Sequence, residues 1–159
     1  MSHRQTPSLL LDRVAAAQSA VDRFNNAELI WGRQDCARLA AHVLRELGHN
    51  AALARFGDYR SAGGAARALK RRGFADLAAV MDGFGLPRIP PASALPGDVL
   101  GFGHDDQSFG LSELRVTLAV ALGNGRILGF LENLRCHVVT PDLAQDADYF
   151  AWRVDPWRS

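Results

Sequence analysis

The first third of the chain repeats apolar residues three and four positions apart, which is the spacing of a helix with one buried face. The segment from Leu9 to Phe24 shows this pattern and is followed by Asn25 and Asn26, so the first helix is predicted there. Its predicted buried face consists of Leu10, Val14, Ala17, Val21 and Phe24.

The second predicted helix begins after Asp35 and ends at Gly48. An aspartate before the first turn caps free backbone N–H groups, and a glycine after the last turn adopts the left-handed conformation that ends a helix. Cys36 stands in the first turn on the apolar side, so its side chain is predicted to point inward. That side consists of Cys36, Leu39, Ala40, Val43, Leu44 and Leu47.

Two shorter, alanine-rich helices are predicted over Ser61–Gly73 and Phe74–Gly83. Gly63 and Gly64 weaken the first of them, because glycine disfavours a helix interior. The basic run from Lys70 to Arg72 is interpreted as the solvated face of that helix and as favourable charge at its C-terminus.

The pattern changes at Leu86–Gly97, where four prolines exclude a regular helix or a central strand. Short apolar runs bounded by turn residues follow, and these are typical of strands. Gly123-Asn124-Gly125 supplies positive-φ residues for a tight hairpin, so neighbouring strands are predicted to be antiparallel. The predicted strands are Asp98–Phe102, Leu114–Leu122, Arg126–Leu131, His137–Thr140 and Phe150–Val154.

Helices followed by an antiparallel sheet of about five or six strands predict an α+β domain. Composition agrees with one ordinary globular unit, since 48% of the residues are apolar and 22% are charged. We therefore predict a single domain over residues 1–159. Residues 1–85 form its mainly helical part, residues 86–97 a proline-rich linker and residues 98–159 the sheet part.

Charge and hydropathy narrow the range of partners. The formal net charge of +1 gives no argument for a nucleic acid, which usually requires a strongly basic protein. No run approaches the roughly 18 apolar residues of a membrane span. The N-terminal residues lack the basic start and long apolar core of a secretion signal. We therefore expect no nucleic-acid partner, no membrane insertion and no signal peptide.

Cys36 and Cys136 are the two cysteines of the chain, and the sequence does not say whether they are close enough for a bridge. Cys36 itself has two interpretations. A helix N-terminus lowers the pKa of a thiol and favours the thiolate, which is the nucleophilic form. A cysteine on a buried apolar face is instead a small space-filling residue.

The residues around Cys36 form a more specific pattern than a lone cysteine. Trp31-Gly32, a short loop, Asp35-Cys36-Ala37 and a helix ending in glycine resemble the nucleophile segment of the NlpC-type cell-wall peptidases, which are papain-like cysteine hydrolases. The sequence PGDVLGF at 96–102 is similar to that family's turn into its first core strand, and LAVALGNG at 118–125 to its second strand. The stretch between residues 50 and 83 and the closing AWRV at 151–154 resemble a phage-tail branch related to NlpC.

The resemblance implies a papain-like, NlpC-type α+β fold, with the helix of Cys36 laid on the sheet and Cys36 as the candidate nucleophile. In active members a histidine opens the second strand and serves as the base, and the register through Leu122-Gly123 places that position at Thr117. A threonine hydroxyl cannot accept a proton near neutral pH, so the usual catalytic pair is incomplete.

Other histidines are candidate substitutes for the missing base. His104 follows the first core strand in a polar loop, and His137 stands in a late strand beside Cys136. His42 lies six residues along the helix of Cys36 and is predicted to point away from it. Whether His104 or His137 serves Cys36 stays open at this point.

No cofactor or metal site is predicted. His104, Asp105 and Asp106 lack a spaced further ligand and are interpreted as a hydrated turn. Three tryptophans either line a groove or pack in the core. They are Trp31, Trp152 and Trp157.

Two functions follow from the resemblance. The first is a phage or phage-like tail protein, at the tail tip or in tail assembly, whose degenerate hydrolase fold docks to hub or tail-tip components. It would be made in the host cytoplasm and reside in the virion. The alternative is an active cysteine endopeptidase that hydrolyses peptide bonds in bacterial peptidoglycan through Cys36. Thr117 favours the first function.

Overall fold

The computed structural model describes residues 5–50, 59–103, 116–132, 134–141 and 149–156, and every structural statement below concerns these residues. The helices are α1 (Gln5–Phe24), α2 (Cys36–Glu46), α3 (Ala62–Arg71) and α4 (Leu77–Gly83), followed by a short 3₁₀ helix at Pro91–Ser93. The strands are β1 (Val99–Gly103), β2 (Val116–Gly123), β3 (Arg126–Glu132), β4 (Arg135–Val139) and β5 (Tyr149–Trp152).

The five strands form one sheet in the order β4-β3-β2-β1-β5, and every neighbouring pair is antiparallel. The α+β class and the antiparallel sheet predicted from the sequence are therefore confirmed. The hairpin between β2 and β3 is also confirmed, because Asn124 and Gly125 have φ of 56° and 75°. Two consecutive positive φ angles are the mark of the type I′ turn that matches the twist of the strands.

The two faces of the sheet are covered differently. Alternate strand residues point to opposite faces, and one set of them, including Leu118, Val120 and Leu128, packs with α1, α2, α3 and α4 in the main core. The other set packs with Ile89 and Ala94 of the proline-rich segment. That segment is therefore a structural cover for the second face as well as a connection.

Local signals set the helix ends. Asp35 Oδ1 accepts the backbone N–H of Arg38 at 2.9 Å and caps α2. Gly48, with φ of 89°, follows the last turn, where its N–H and that of His49 reach back to carbonyls of the helix. The fourth helix begins at Leu77, three residues later than predicted, because the N–H of Phe74 bonds back to Leu69 and closes the preceding helix.

The predicted buried face of α1 is wrong in its first half. Leu10 and Val14 are 55% and 49% exposed, whereas Arg13 is 4% exposed. The helix packs through small residues and Phe24, and the inward arginine sets its rotation. The buried residues of α1 are Arg13, Ala16, Ala17, Ala20 and Phe24.

Arg13 points inward because it meets the fully buried carboxylate of Asp98. Its Nη1 atom donates to Asp98 Oδ1 at 3.0 Å, and the same carboxylate accepts the backbone N–H groups of Leu95 at 2.9 Å and Val154 at 2.8 Å. Arg153 Nε lies 3.0 Å from Asp98 Oδ2 without the alignment of a hydrogen bond. One aspartate thus joins α1, the turn before β1 and the segment after β5.

We expect Asp98→Ala to lower the free energy of unfolding by about 3–5 kcal/mol, because it removes the buried carboxylate that binds Arg13 and two backbone N–H groups, and leaves Arg13 with the exposed Asp155 carboxylate and the Pro96 carbonyl. Urea unfolding followed by circular dichroism measures this. Asp22→Ala is the matched control, since Asp22 is exposed and its carboxylate bonds only to Gln18 among the contacts of the described residues, and its effect should stay within about 0.5 kcal/mol. Equal effects of the two substitutions would contradict the central role of Asp98.

Candidate active site around Cys36

Cys36 is the first residue of α2, and its thiol lies between that helix and β2. The side chain is 3% exposed and belongs to the main core. Backbone N–H groups of Leu118, Cys36 and Ala37 face the sulfur. The structure therefore brings the start of α2 next to the first half of β2, and it closes the sulfur off from solvent.

Burial, followed by the charge of Asp35, raises the pKa of Cys36 from 9.0 to about 12. The three backbone N–H groups act in the opposite direction and are too weak to offset these effects. Because the thiolate is the nucleophilic form, the thiol in this state is unreactive at neutral pH. Of the two interpretations of Cys36, the small space-filling residue describes the arrangement in the structure.

Asp35 does more than cap α2. Its Oδ2 atom accepts the backbone N–H of Gly32 at 2.8 Å and the hydroxyl of Tyr59 at 2.9 Å, while Oδ1 receives the cap bond described above. The side chain is 1% exposed, so these bonds replace the water that a buried carboxylate loses. Asp35 therefore ties the loop before α2 to the segment before α3.

Tyr59 completes this network, although neither hydrophobic periodicity nor a motif predicts a role for it. Arg38 donates from Nη1 to the tyrosine hydroxyl at 3.0 Å, and its guanidinium lies 5.5 Å from the ring centroid. Burial and the neighbouring Asp35 raise the pKa of Tyr59 well above its usual range, so the hydroxyl stays a donor. Gly32 is required beside it, because a Cβ there would lie 2.5 Å from the Tyr59 carbonyl oxygen.

Thr117 is buried in β2, but its side chain is on the far face of the sheet from Cys36. It pairs directly with Phe102, and directly paired residues share a face. Phe102 packs in the cluster on the second face, whereas Leu118 packs with the helices. The position that the resemblance assigns to the base is therefore occupied by a residue that neither accepts a proton nor faces the thiol.

His137 is excluded as a substitute base. It pairs with Gly129, which in turn pairs with Ala119 on the second face of the sheet. Its side chain thus points away from the face on which Cys36 lies. The alternative position, His104, lies outside the described residues, as do Asp105 and Asp106.

His42 points away from Cys36 as predicted and packs between α1 and α2. Its Nε2 atom is 2.8 Å from Ser19 Oγ, and Ser19 donates to Glu46 at 2.8 Å. Glu46 accepts from Ser19 and lies 3.6 Å from Nε2, the ring nitrogen that also contacts Ser19. In a catalytic triad the carboxylate binds the other ring nitrogen, so these three residues do not form one. Burial lowers the pKa of His42, so it contributes a neutral contact between the helices.

Further candidate groups take structural roles. Cys36 and Cys136 are free, buried thiols. Trp152 is fully buried and donates from Nε1 to Asp82 at 2.8 Å, Trp31 packs partly against the core, and Trp157 lies outside the described residues. Within the described ranges, no three histidine, cysteine or acidic side chains are placed to hold a metal ion. In the same ranges, no helix combines the length and hydropathy needed to cross a bilayer.

A small pocket lies behind the site, between α2, α4 and β2. Its walls are entirely apolar and include Ala37, Met81 and Leu118. A binding pocket normally adds a few polar groups that orient the ligand. This one has none, and it resembles a packing gap between helices.

Comparison with known proteins gives one family. The model of a domain family of unknown function, DUF6950, matches residues 11–154. The searches of curated proteins and of solved structures give no match. The family match spans both the helical part and the sheet.

We expect the thiol of Cys36 to react with iodoacetamide at pH 8 at least about 100-fold more slowly in the native protein than in concentrated urea, because the folded thiol is protonated and buried. A Cys136→Ala variant leaves Cys36 as the single thiol, and mass spectrometry gives the rate. As the pH rises from 9.0 towards 12, only the unfolded thiol ionises, so the free energy of unfolding should fall over that window. Equal native and unfolded rates would contradict the buried state.

Gly32→Ala should destabilise the protein more than Gly73→Ala. Both glycines have positive φ, of 83° and 86°, but a Cβ at Gly73 meets nothing within 4 Å. The backbone conformation alone is expected to cost about 1–2 kcal/mol at either site, and the contact with Tyr59 should add about 1–3 kcal/mol at Gly32. Thermal and urea unfolding measure the difference, and similar losses would show that Tyr59 does not constrain the loop.

Proposed function

The chain belongs to the DUF6950 family of domains of unknown function, and from this premise we propose that it is a phage or phage-like tail protein, at the tail tip or in tail assembly. In this proposal a degenerate papain-like, NlpC-type domain serves as a docking module. Its partners are other tail proteins, such as hub or tail-tip components, and its location is the virion.

The observation that carries the proposal is the state of Cys36. A cysteine hydrolase needs an accessible thiolate and a base within reach. Cys36 is buried and its pKa is raised to about 12, while Thr117 and His137 lie on the other face of the sheet. Besides burial, the groups that shift the pKa of Cys36 are a carboxylate and backbone N–H donors, and among the described residues no imidazole contributes.

The motif residues that resemble the hydrolases have structural roles that do not depend on catalysis. Asp35 and Gly32 hold the loop against Tyr59. Asp98, in the Pro-Gly-Asp turn, holds α1 and the segment after β5. Retention of the fold without its chemistry is physically consistent, because function resides in the site and not in the fold.

The alternative is an active cysteine endopeptidase acting on peptidoglycan. One observation favours it: the N–H groups of Leu118 and Ala37 face the sulfur, and such donors also stabilise negative charge on a reacting carbonyl oxygen. For this activity the site would have to open and an imidazole would have to reach Cys36.

We expect the purified protein to release no soluble fragments from bacterial peptidoglycan above the level of Cys36→Ala, since the resting thiol is protonated. Thr117→His should release none either, because position 117 faces away from the sulfur. In the phage or phage-like particle that encodes the protein, Cys36→Ala particles should assemble and contain the protein as the wild type does, as measured by mass spectrometry of purified tails.

Two outcomes would decide against the proposal. Fragment release that disappears in Cys36→Ala would establish the endopeptidase. Purified tails that lack the protein, while the same preparation contains known structural components, would remove the tail assignment.

A further inference from the structure

A strongly basic segment interrupts a chain that is nearly neutral overall. From Tyr59 to Ala75 the sequence has five cationic residues and no aspartate or glutamate, although the formal net charge of the chain is only +1. All five cations are exposed. They are Arg60, Arg67, Lys70, Arg71 and Arg72.

Tyr59 is the residue against which the chain segments that carry these arginines, and further arginines from α2 and its loop, are packed. Arg38 lies over the tyrosine ring. A Cβ added at Gly64 would lie 3.9 Å from Arg67 Nη2 and 3.4 Å from Tyr59 Cβ. Arg60 follows Tyr59 directly, and Arg33 follows Gly32, whose backbone packs on the Tyr59 carbonyl.

These arginines are not neutralised within the described part of the chain. Ion pairs there are formed by Arg13, His42, Arg88 and Arg153. Within the described ranges, the carboxylate bonded to Tyr59 is that of Asp35, which is buried and already accepts three hydrogen bonds. The guanidinium groups of Arg33, Arg60 and Arg67 therefore retain donors for an outside partner.

Exposed apolar residues adjoin the arginines. Ile30 is 41% exposed and opens a tight turn that closes on Gln34 and contains Arg33. Leu134 is 44% exposed, and its carbonyl accepts the N–H of Leu29 at 2.8 Å. The apolar pair thus flanks the turn that carries Arg33, and the Gly32 backbone of that turn packs against Tyr59.

We propose that this surface, formed by Ile30, Arg33, Arg38, Arg60, Arg67 and Leu134 and called here the arginine surface, docks a protein partner that presents carboxylates around an apolar centre. The planar guanidinium group matches a carboxylate through two parallel hydrogen bonds. Arginine beside apolar residues is the composition of protein interfaces.

A phosphate polymer would use the cations alone and would leave Ile30 and Leu134 exposed, so the apolar residues favour a protein partner. The inference specifies the partner surface of the proposed docking module and rests on that function.

The test uses the full chain and three labelled probes at physiological salt: a peptide that alternates glutamate and leucine, poly-L-glutamate, and inorganic polyphosphate. Fluorescence anisotropy gives the Kd of each. The double variant R60E/R67E removes charge from the arginine surface. R23E/R126E is the control, because both residues are exposed, Arg23 is on α1 and Arg126 is in the hairpin at the other end of β2, and the change in net charge is the same.

We expect the alternating peptide to bind more tightly than the other two probes. Its Kd should rise about tenfold or more in R60E/R67E and less than about twofold in R23E/R126E. The double variant I30S/L134S should weaken binding of the alternating peptide and leave poly-L-glutamate unchanged. Circular dichroism should show that all variants fold, since the substituted side chains are exposed.

Three results would overturn the inference. Polyphosphate binding as tight as that of the alternating peptide would assign the surface to phosphate polymers. Equal losses of peptide affinity in R60E/R67E and R23E/R126E would show that binding depends on net charge and not on the arginine surface. Absence of peptide binding would contradict a docking surface. These outcomes are separate from the composition of purified tails, so the inference can fail while the tail assignment holds.

Discussion

The buried pair of Arg13 and Asp98 is the interaction on which the rest of the structure depends. It fixes the rotation of α1, and through the N–H of Val154 it holds the chain that leaves β5. The backbone of Asp98 accepts from Ala121, which sets β2 beside β1. The same strand carries the Leu118 backbone that faces Cys36, so the turn at Asp98 and the surroundings of the thiol are connected through β2. Such a pair constrains geometry strongly because each partner is costly to leave alone once buried.

Asp35 and Asp98 are both buried carboxylates at turns, and in both the loss of water is offset by several hydrogen bonds. Each carboxylate accepts at least one backbone N–H from its own turn and a side-chain donor from a distant element, Tyr59 for Asp35 and Arg13 for Asp98. Both lie in the segments that resemble NlpC-type peptidases. In this chain these segments build the two turns, and that role does not require a reactive thiol or a base.

Local patterns explain why much of the fold was predictable. The caps of α2, its buried face and the Asn124-Gly125 turn each depend on residues a few positions apart. The rotation of α1 was not predictable, because it depends on an ion pair between residues 85 positions apart. The role of Tyr59 depends likewise on a contact across 24 positions. The pKa of Cys36 depends on burial by several elements, and the faces of Thr117 and His137 became known only from the strand register.

Around α2, negative charge lies inside the domain beside Cys36, and positive charge lies at the surface. A helix N-terminus stabilises a thiolate, but here the Asp35 carboxylate occupies the N-terminal N–H of Arg38 and places negative charge beside the sulfur. Arg38 is linked to the same carboxylate through the Tyr59 hydroxyl, and Arg33, Arg60 and Arg67 are exposed to solvent. The positive charge is therefore directed outward, to where a partner can reach it, and not to the thiol. This arrangement supports the proposed docking function, which uses the surface arginines and leaves the buried thiol unused.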